Sequence, residues 1–199
     1  MRLITAAATK GTYEIAAQCA REVLVKLAPA VTFDEVRIEF GETTFATLED
    51  RTARLCIAAQ LVEEHGETYL TTLIAKKLLL LQRKLRGDEM LPSPIEDLLA
   101  YRALLHYGFA DALSSYFYTR LLTTPHKTMG DFLAANLSWL TYAQTDQFYA
   151  SLFYESVKKM PFPQAYWTRC SSLFTLLKRD LLFSDTLQRA TRLYTKVTA

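Results

Sequence analysis

Apolar residues recur along most of the chain at the three–four spacing of a helix that faces a core. Over residues 12–28 the stripe is Ala16, Cys19, Ala20, Val23, Leu24 and Leu27, and Pro29 stops it. One stretch keeps the shorter period. Val36, Ile38 and Phe40 alternate with Arg37 and Glu39, which predicts a half-buried strand. Gly41-Glu42 then offers a turn and residues 43–46 a return, so a small antiparallel β-hairpin is expected over about residues 35–46. Leu3 and Ile4 offer a third strand.

The helical period then resumes. Thr47 with Asp50 reads as a capping pair, Thr52, Leu55, Cys56, Ala59 and Val62 as a stripe, and Gly66 as a left-handed stop. The next helix, residues 67–86, carries Leu70, Leu73, Ile74, Leu78, Leu81 and Leu85 on one face, with a basic last turn and Gly87 to close it.

Residues 88–93 are poor in apolar side chains and read as a linker between a part spanning 1–87 and a part spanning 94–199, which either stand apart or share one core. Beyond it the chain reads as all helix: 93–107, opened by Ser93-Pro94-Ile95-Glu96; 109–122, ended by Thr123-Thr124-Pro125; 128–142, capped by Thr128 and Asp131; 145–159, capped by Thr145; 164–178; and 184–198. Short turns between helices of this length predict an antiparallel bundle or a short solenoid. The fold class expected is mainly α, with an α+β N-terminal part of helices and one small β-hairpin, followed by the all-helical part.

Composition narrows the class. The chain has 199 residues, half of them hydrophobic, and a net charge of +2. A chain this long buries roughly 70% of its unfolded surface without a disulfide or metal staple, and its composition excludes a disordered or collagen-like chain. Basic and acidic residues number 5 and 8 in residues 1–50, 7 and 3 in 51–87, 2 and 5 in 88–126, and 9 and 5 in 127–199. No block reaches the density of a nucleic-acid-binding arm. Cys19, Cys56 and Cys170 each fall in an apolar pattern and read as buried thiols. The first residues lack a signal-peptide core, and no stretch reaches the roughly 18 apolar residues of a membrane span, so a cytoplasmic protein is expected. Asn136-Leu137-Ser138 matches a glycosylation sequon by chance, inside a helix.

The chemistry-bearing motifs are few. The six glycines stand singly at 11, 41, 66, 87, 108 and 130, so no phosphate-cradling loop forms. There is no Cys-x-x-Cys, no His-x-x-x-His and no Gly-x-Ser-x-Gly, and Glu96, Asp97, Asp111, Asp131 and Asp146 lie near helix starts, where capping explains them. No cofactor and no metal is expected. Two features stand above this background. Lys76, Leu80, Arg83 and Lys84 follow helical spacing and would set a leucine among cations. Of 24 aromatics, 19 lie in residues 94–199, among them Tyr116, Tyr118, Trp139, Tyr149 and Trp167. Adjacent helical residues point about 100° apart, so consecutive aromatics cannot all enter one core. Tyrosine and tryptophan left outside are suited to protein contacts. These nine residues are the expected partner-binding set. The expected function is a non-enzymatic interaction subunit, an adaptor, chaperone-like or scaffold protein, binding a partner's helix or peptide. A small helical enzyme with an unrecognised pocket is the alternative, and a nucleic-acid-binding regulator the third reading.

Overall fold

A computed structural model of the chain describes residues 1–5, 12–123, 125–179, 181 and 184–199, the side chains of residues 12, 13 and 184 excepted. Thr124, placed in the expected stop after the 109–122 helix, lies outside them. The protein is mainly helical, with a four-stranded sheet near its N-terminus. Its contacts divide it into two compact units: residues 1–90 with 103–116, and residues 91–102 with 117–199.

In the first unit, strand β1 (Arg2–Thr5) leads through helix α1 (Thr12–Leu27) to strand β2 (Glu35–Gly41). The two strands pair in parallel, Leu3 opposite Val36 and Thr5 opposite Ile38. Strand β3 (Phe45–Glu49) pairs antiparallel with β4 (Thr52–Ala58), and β4 lies parallel to β2, giving the order β1-β2-β4-β3. The hairpin is thus β3–β4, not the expected 35–46: β2 and β3 are not neighbours. Asp50 makes its tight turn at φ +51°, a left-handed conformation that aspartate tolerates better than most residues.

Residues 52–58, expected as helix, are strand for a physical reason. Ala53, Leu55 and Ile57 are buried on the face shared with Val36 and Ile38, and Cys56 and Ala58 are largely covered on the other. A central strand covered on both faces loses the polar alternation that marks a half-exposed one, and a short apolar run fits both periods. The single charge in the run, Arg54, reaches Glu39 on β2 at 3.0 Å and Glu49 on β3 at 2.9 Å, tying the central strand to both neighbours.

Gly41, at the end of β2, has no room for a side chain, because a Cβ there would lie 2.9 Å from the Sγ of Cys56. Gly41→Ala should cost about 1–2 kcal/mol by overpacking. Measured by denaturant unfolding in a Cys56→Ala background, most of that penalty should vanish; simple additivity of the two changes would contradict the clash.

Two helices follow, the short α2 (Ala59–Glu64) and α3 (Glu67–Leu85). Gly66 is the extended N-cap of α3 at φ −65°, not a left-handed stop, whereas Gly87 closes α3 at φ +74° as expected. Ala16, Ala20, Val23 and Leu27 of α1 and Leu70, Ile74 and Leu78 of α3 form the buried seam. Gln82, buried on α3, accepts from the backbone N–H of Thr32 at 2.8 Å and donates to its hydroxyl at 3.1 Å, fixing the segment that leads into β2. Lys26 reaches the carbonyl of Gly108 and lies over the ring of Phe109, and Tyr69 meets Tyr116, so residues 103–116 are bound into this unit.

The second unit is helical. Its segments come from α4 (Ser93–His106) and α5 (Ala110–Thr123), both of which cross the division, and from α6 (Met129–Tyr142), α7 (Gln147–Lys158), α8 (Gln164–Leu177) and α9 (Ser184–Thr198). Packing joins α6 to α7 and to α8, and α8 to α9. The sequon asparagine, Asn136, is fully buried; it donates to the carbonyl of Phe132 and accepts from the indole N–H of Trp139 at 2.6 Å. Cys170 is buried too, and its burial pushes the thiol up to about 11.

The expected capping pair of α6 is present. Asp131 accepts from the backbone N–H of Thr128 at 2.9 Å, and the Thr128 hydroxyl accepts from that of Asp131 at 3.0 Å. The cap of α7 is Asp146, one residue beyond the expected Thr145. Its backbone donors, Thr128 first, hold the Asp131 carboxyl below its ordinary pKa. A depressed folded pKa contributes stability above the unfolded value of about 3.9 and loses it as pH falls through the folded one. Thr128→Ala should cost about 1 kcal/mol. Asp131→Asn should lower the melting temperature at pH 7, and thermal melts should show the gap to the parent protein narrowing as pH falls through the acidic range.

Candidate partner-binding groove

The nine residues singled out from the sequence divide between the two units. On α3, Lys76 is buried rather than exposed, Leu80 is half-buried, and Arg83 is half-buried with Asp88 at 3.7 Å; of the four only Lys84 is exposed. The expected cationic face with a leucine at its centre does not form, because α3 is covered on more than one side. Thr72, Ala75, Lys76 and Leu79 are buried beside the main stripe, and a lysine stem is apolar enough to join such a layer. Tyr116 is core as well, 2% exposed.

The four in the second unit fare differently. Tyr118 is 64% exposed. Tyr149 is half-buried and lies tilted against Tyr142, with ring centres 5.1 Å apart. Trp167 is half-buried between Phe132 at 5.0 Å and Tyr154 at 5.8 Å. Trp139 is 4% exposed, yet it lines an open groove.

That groove has a volume of about 330 Å³. Helix α6 supplies Trp139 and its C-cap residue Ala143, and α8 ends on Lys178, whose ammonium lies 5.0 Å over the Trp139 ring. Helix α7 supplies Gln147, Ser151 and Tyr154, spaced i, i+4 and i+7 and so on one face, with Ala150 beneath. The Tyr154 ring meets Trp139 edge to face at 5.5 Å. The carbonyl of Lys178 accepts from Gln144, which anchors the end of α8. The walls therefore combine aromatic surface, one cation, an amide and a hydroxyl, the mixture that suits a peptide better than a purely apolar ligand. Among the described residues, Tyr154 and Lys178 are its ionisable lining groups, and no carboxylate borders it.

Apolar side chains also stand outside the fold on the same unit. Tyr118 and Leu122 on α5 are 64% and 70% exposed, and Phe148 and Leu152 on α7 are 71% and 48% exposed. Each pair has i, i+4 spacing. On α7 the pair lies about 150° around the helix from the buried Ala150, Phe153 and Val157, so it is not the rim of the groove. Among the described residues, no group of three or more His, Cys, Asp or Glu gathers as a metal site would require, and no helix is long and apolar enough to cross a membrane.

Of the groove residues only Trp139 was singled out from the sequence. Gln147, Ser151 and Tyr154 left a legible signal, a polar–aromatic stripe beside the apolar stripe of α7; Lys178 left none, since its place depends on how α8 ends against α6. Comparison of the chain with protein-family models, characterised proteins and solved structures finds no match.

Proposed function

We propose that the chain is a non-enzymatic protein–protein interaction subunit, of the adaptor, chaperone-like or scaffold kind, that receives a helix or peptide of a partner. The observation that carries this reading is the groove of Trp139, Tyr154 and Lys178, with its aromatic walls and single cation. A pre-formed groove beside a rigid aromatic cluster lowers the ordering cost of binding, and tryptophan and tyrosine are frequent anchors of such contacts. The two outward apolar pairs support the same reading, since such side chains gain from being covered. A cytoplasmic location belongs with this proposal.

The test keeps the fold and fills the groove. Gln147 and Ser151 are exposed and line it, so Gln147→Arg with Ser151→Arg should place two long side chains across it. Their effect on stability should stay within about 0.5 kcal/mol each, as at other surface sites. Affinity capture from cells that make the protein, followed by mass spectrometry, should recover a partner with the parent chain and at least about tenfold less of it with the double variant, a loss of about 1.4 kcal/mol. Equal recovery by both chains would remove the groove from the function.

A further inference from the structure

We infer that the cleft between α8 and α9 is an anion site that takes a phosphate monoester. It is distinct from the groove at Trp139 and has a volume of about 400 Å³. Two arginines line it, Arg179 after the end of α8 and Arg189 on α9. Neither side chain has an ion-pair or hydrogen-bond partner among the described residues. Asp185, one turn before Arg189, makes no ion pair with it, and no carboxylate lines the cleft among the described residues.

Three hydroxyls complete the wall. Ser171 donates to the carbonyl of Thr168 and Thr175 to that of Ser171, so their protons stay within α8. The hydroxyl of Ser172 carries no such bond and is open to a ligand. Leu176 and Leu193 form the apolar floor. Unpaired guanidinium forks favour an acceptor with several oxygens, which a phosphate monoester supplies at near −2 charge and a carboxylate does not. The floor accommodates the carbon side of the ester. The local balance of charge agrees: residues 164–199 carry six Lys or Arg against two Asp.

The phosphate has two sources, a free small ester or a phosphorylated side chain, and two probes separate them. Phenyl phosphate and a blocked phosphoserine peptide would be titrated into the full chain by calorimetry in low-salt chloride buffer. Saturable one-site binding is expected. Tighter binding of the peptide assigns the site to a phosphorylated chain, and tighter binding of phenyl phosphate to a free ester. Arg189→Gln and Arg179→Gln should each weaken binding at least about tenfold, the loss of a charge-assisted pair. Lys158→Gln removes the same charge from the exposed end of α7 and should leave binding unchanged. Absence of saturable binding of either probe into the millimolar range, or an equal loss with Lys158→Gln, would overturn the assignment.

Discussion

Phe132→Ala is expected to be the most destabilising single change in the second unit, at about 3–5 kcal/mol. Phe132 is fully buried on α6. Its ring meets Trp167 at 5.0 Å and Phe162 at 5.2 Å, both edge to face, and Tyr166 and Phe174 at 5.7 Å. Those four rings come from α8 and the segment before it, so one side chain is the hub that seats α8 on α6. Truncation removes a large buried surface and leaves a cavity whose walls are rigid aromatics, which collapse poorly. In a chain of this size the loss should appear as a fall of roughly 6–20 °C in melting temperature. Phe132→Leu, which keeps most of the volume, should recover more than half of it. A loss under about 1 kcal/mol for the alanine variant would show that the aromatic cluster does not organise the unit.

Arg102→Ala is expected to follow, at about 2–4 kcal/mol. This residue donates to the carbonyls of Leu140, Leu177 and Arg179 at 3.0, 2.6 and 3.0 Å. These are the last turns of α6 and α8, where carbonyls lack partners within their own helix and carry the negative end of the helix dipole. A single planar cation with several donors satisfies both ends together. Part of the site is exposed, which is why the estimate falls below three full charge-assisted bonds. Arg102→Lys keeps the charge but not the fork and should recover less than half the loss in urea unfolding. Full recovery by lysine would show that charge, not geometry, is what the two helix ends require.

The helices of the second unit were legible because each has its own punctuation. Thr128 with Asp131, and Pro161 with Pro163, mark ends that no tertiary contact needs to supply. The sheet was less legible. The pattern Thr52, Leu55, Cys56, Ala59, Val62 satisfies a helix on paper. Only the pairing of β4 with both β2 and β3 decides for a strand, and that pairing is non-local. The functional surface was the least legible. Sequence spacing gives the direction of a side chain around its own helix, not what a neighbouring helix covers. Tyr116 and Tyr118 sit two residues apart, one 2% and the other 64% exposed. Lys76 falls on the buried side for the same reason.

The first unit is discontinuous in sequence. It draws Phe109 and Tyr116 from a stretch translated after residues 91–102, which belong to the other unit. On the ribosome, then, the sheet and its two long helices emerge without the lid that closes their core, and the unit finishes only once residue 116 has cleared the exit tunnel. An excised fragment ending at residue 90 would lack that lid permanently. Expressed alone, it should be prone to proteolysis and chaperone capture, whereas a fragment ending just beyond residue 116 should survive better.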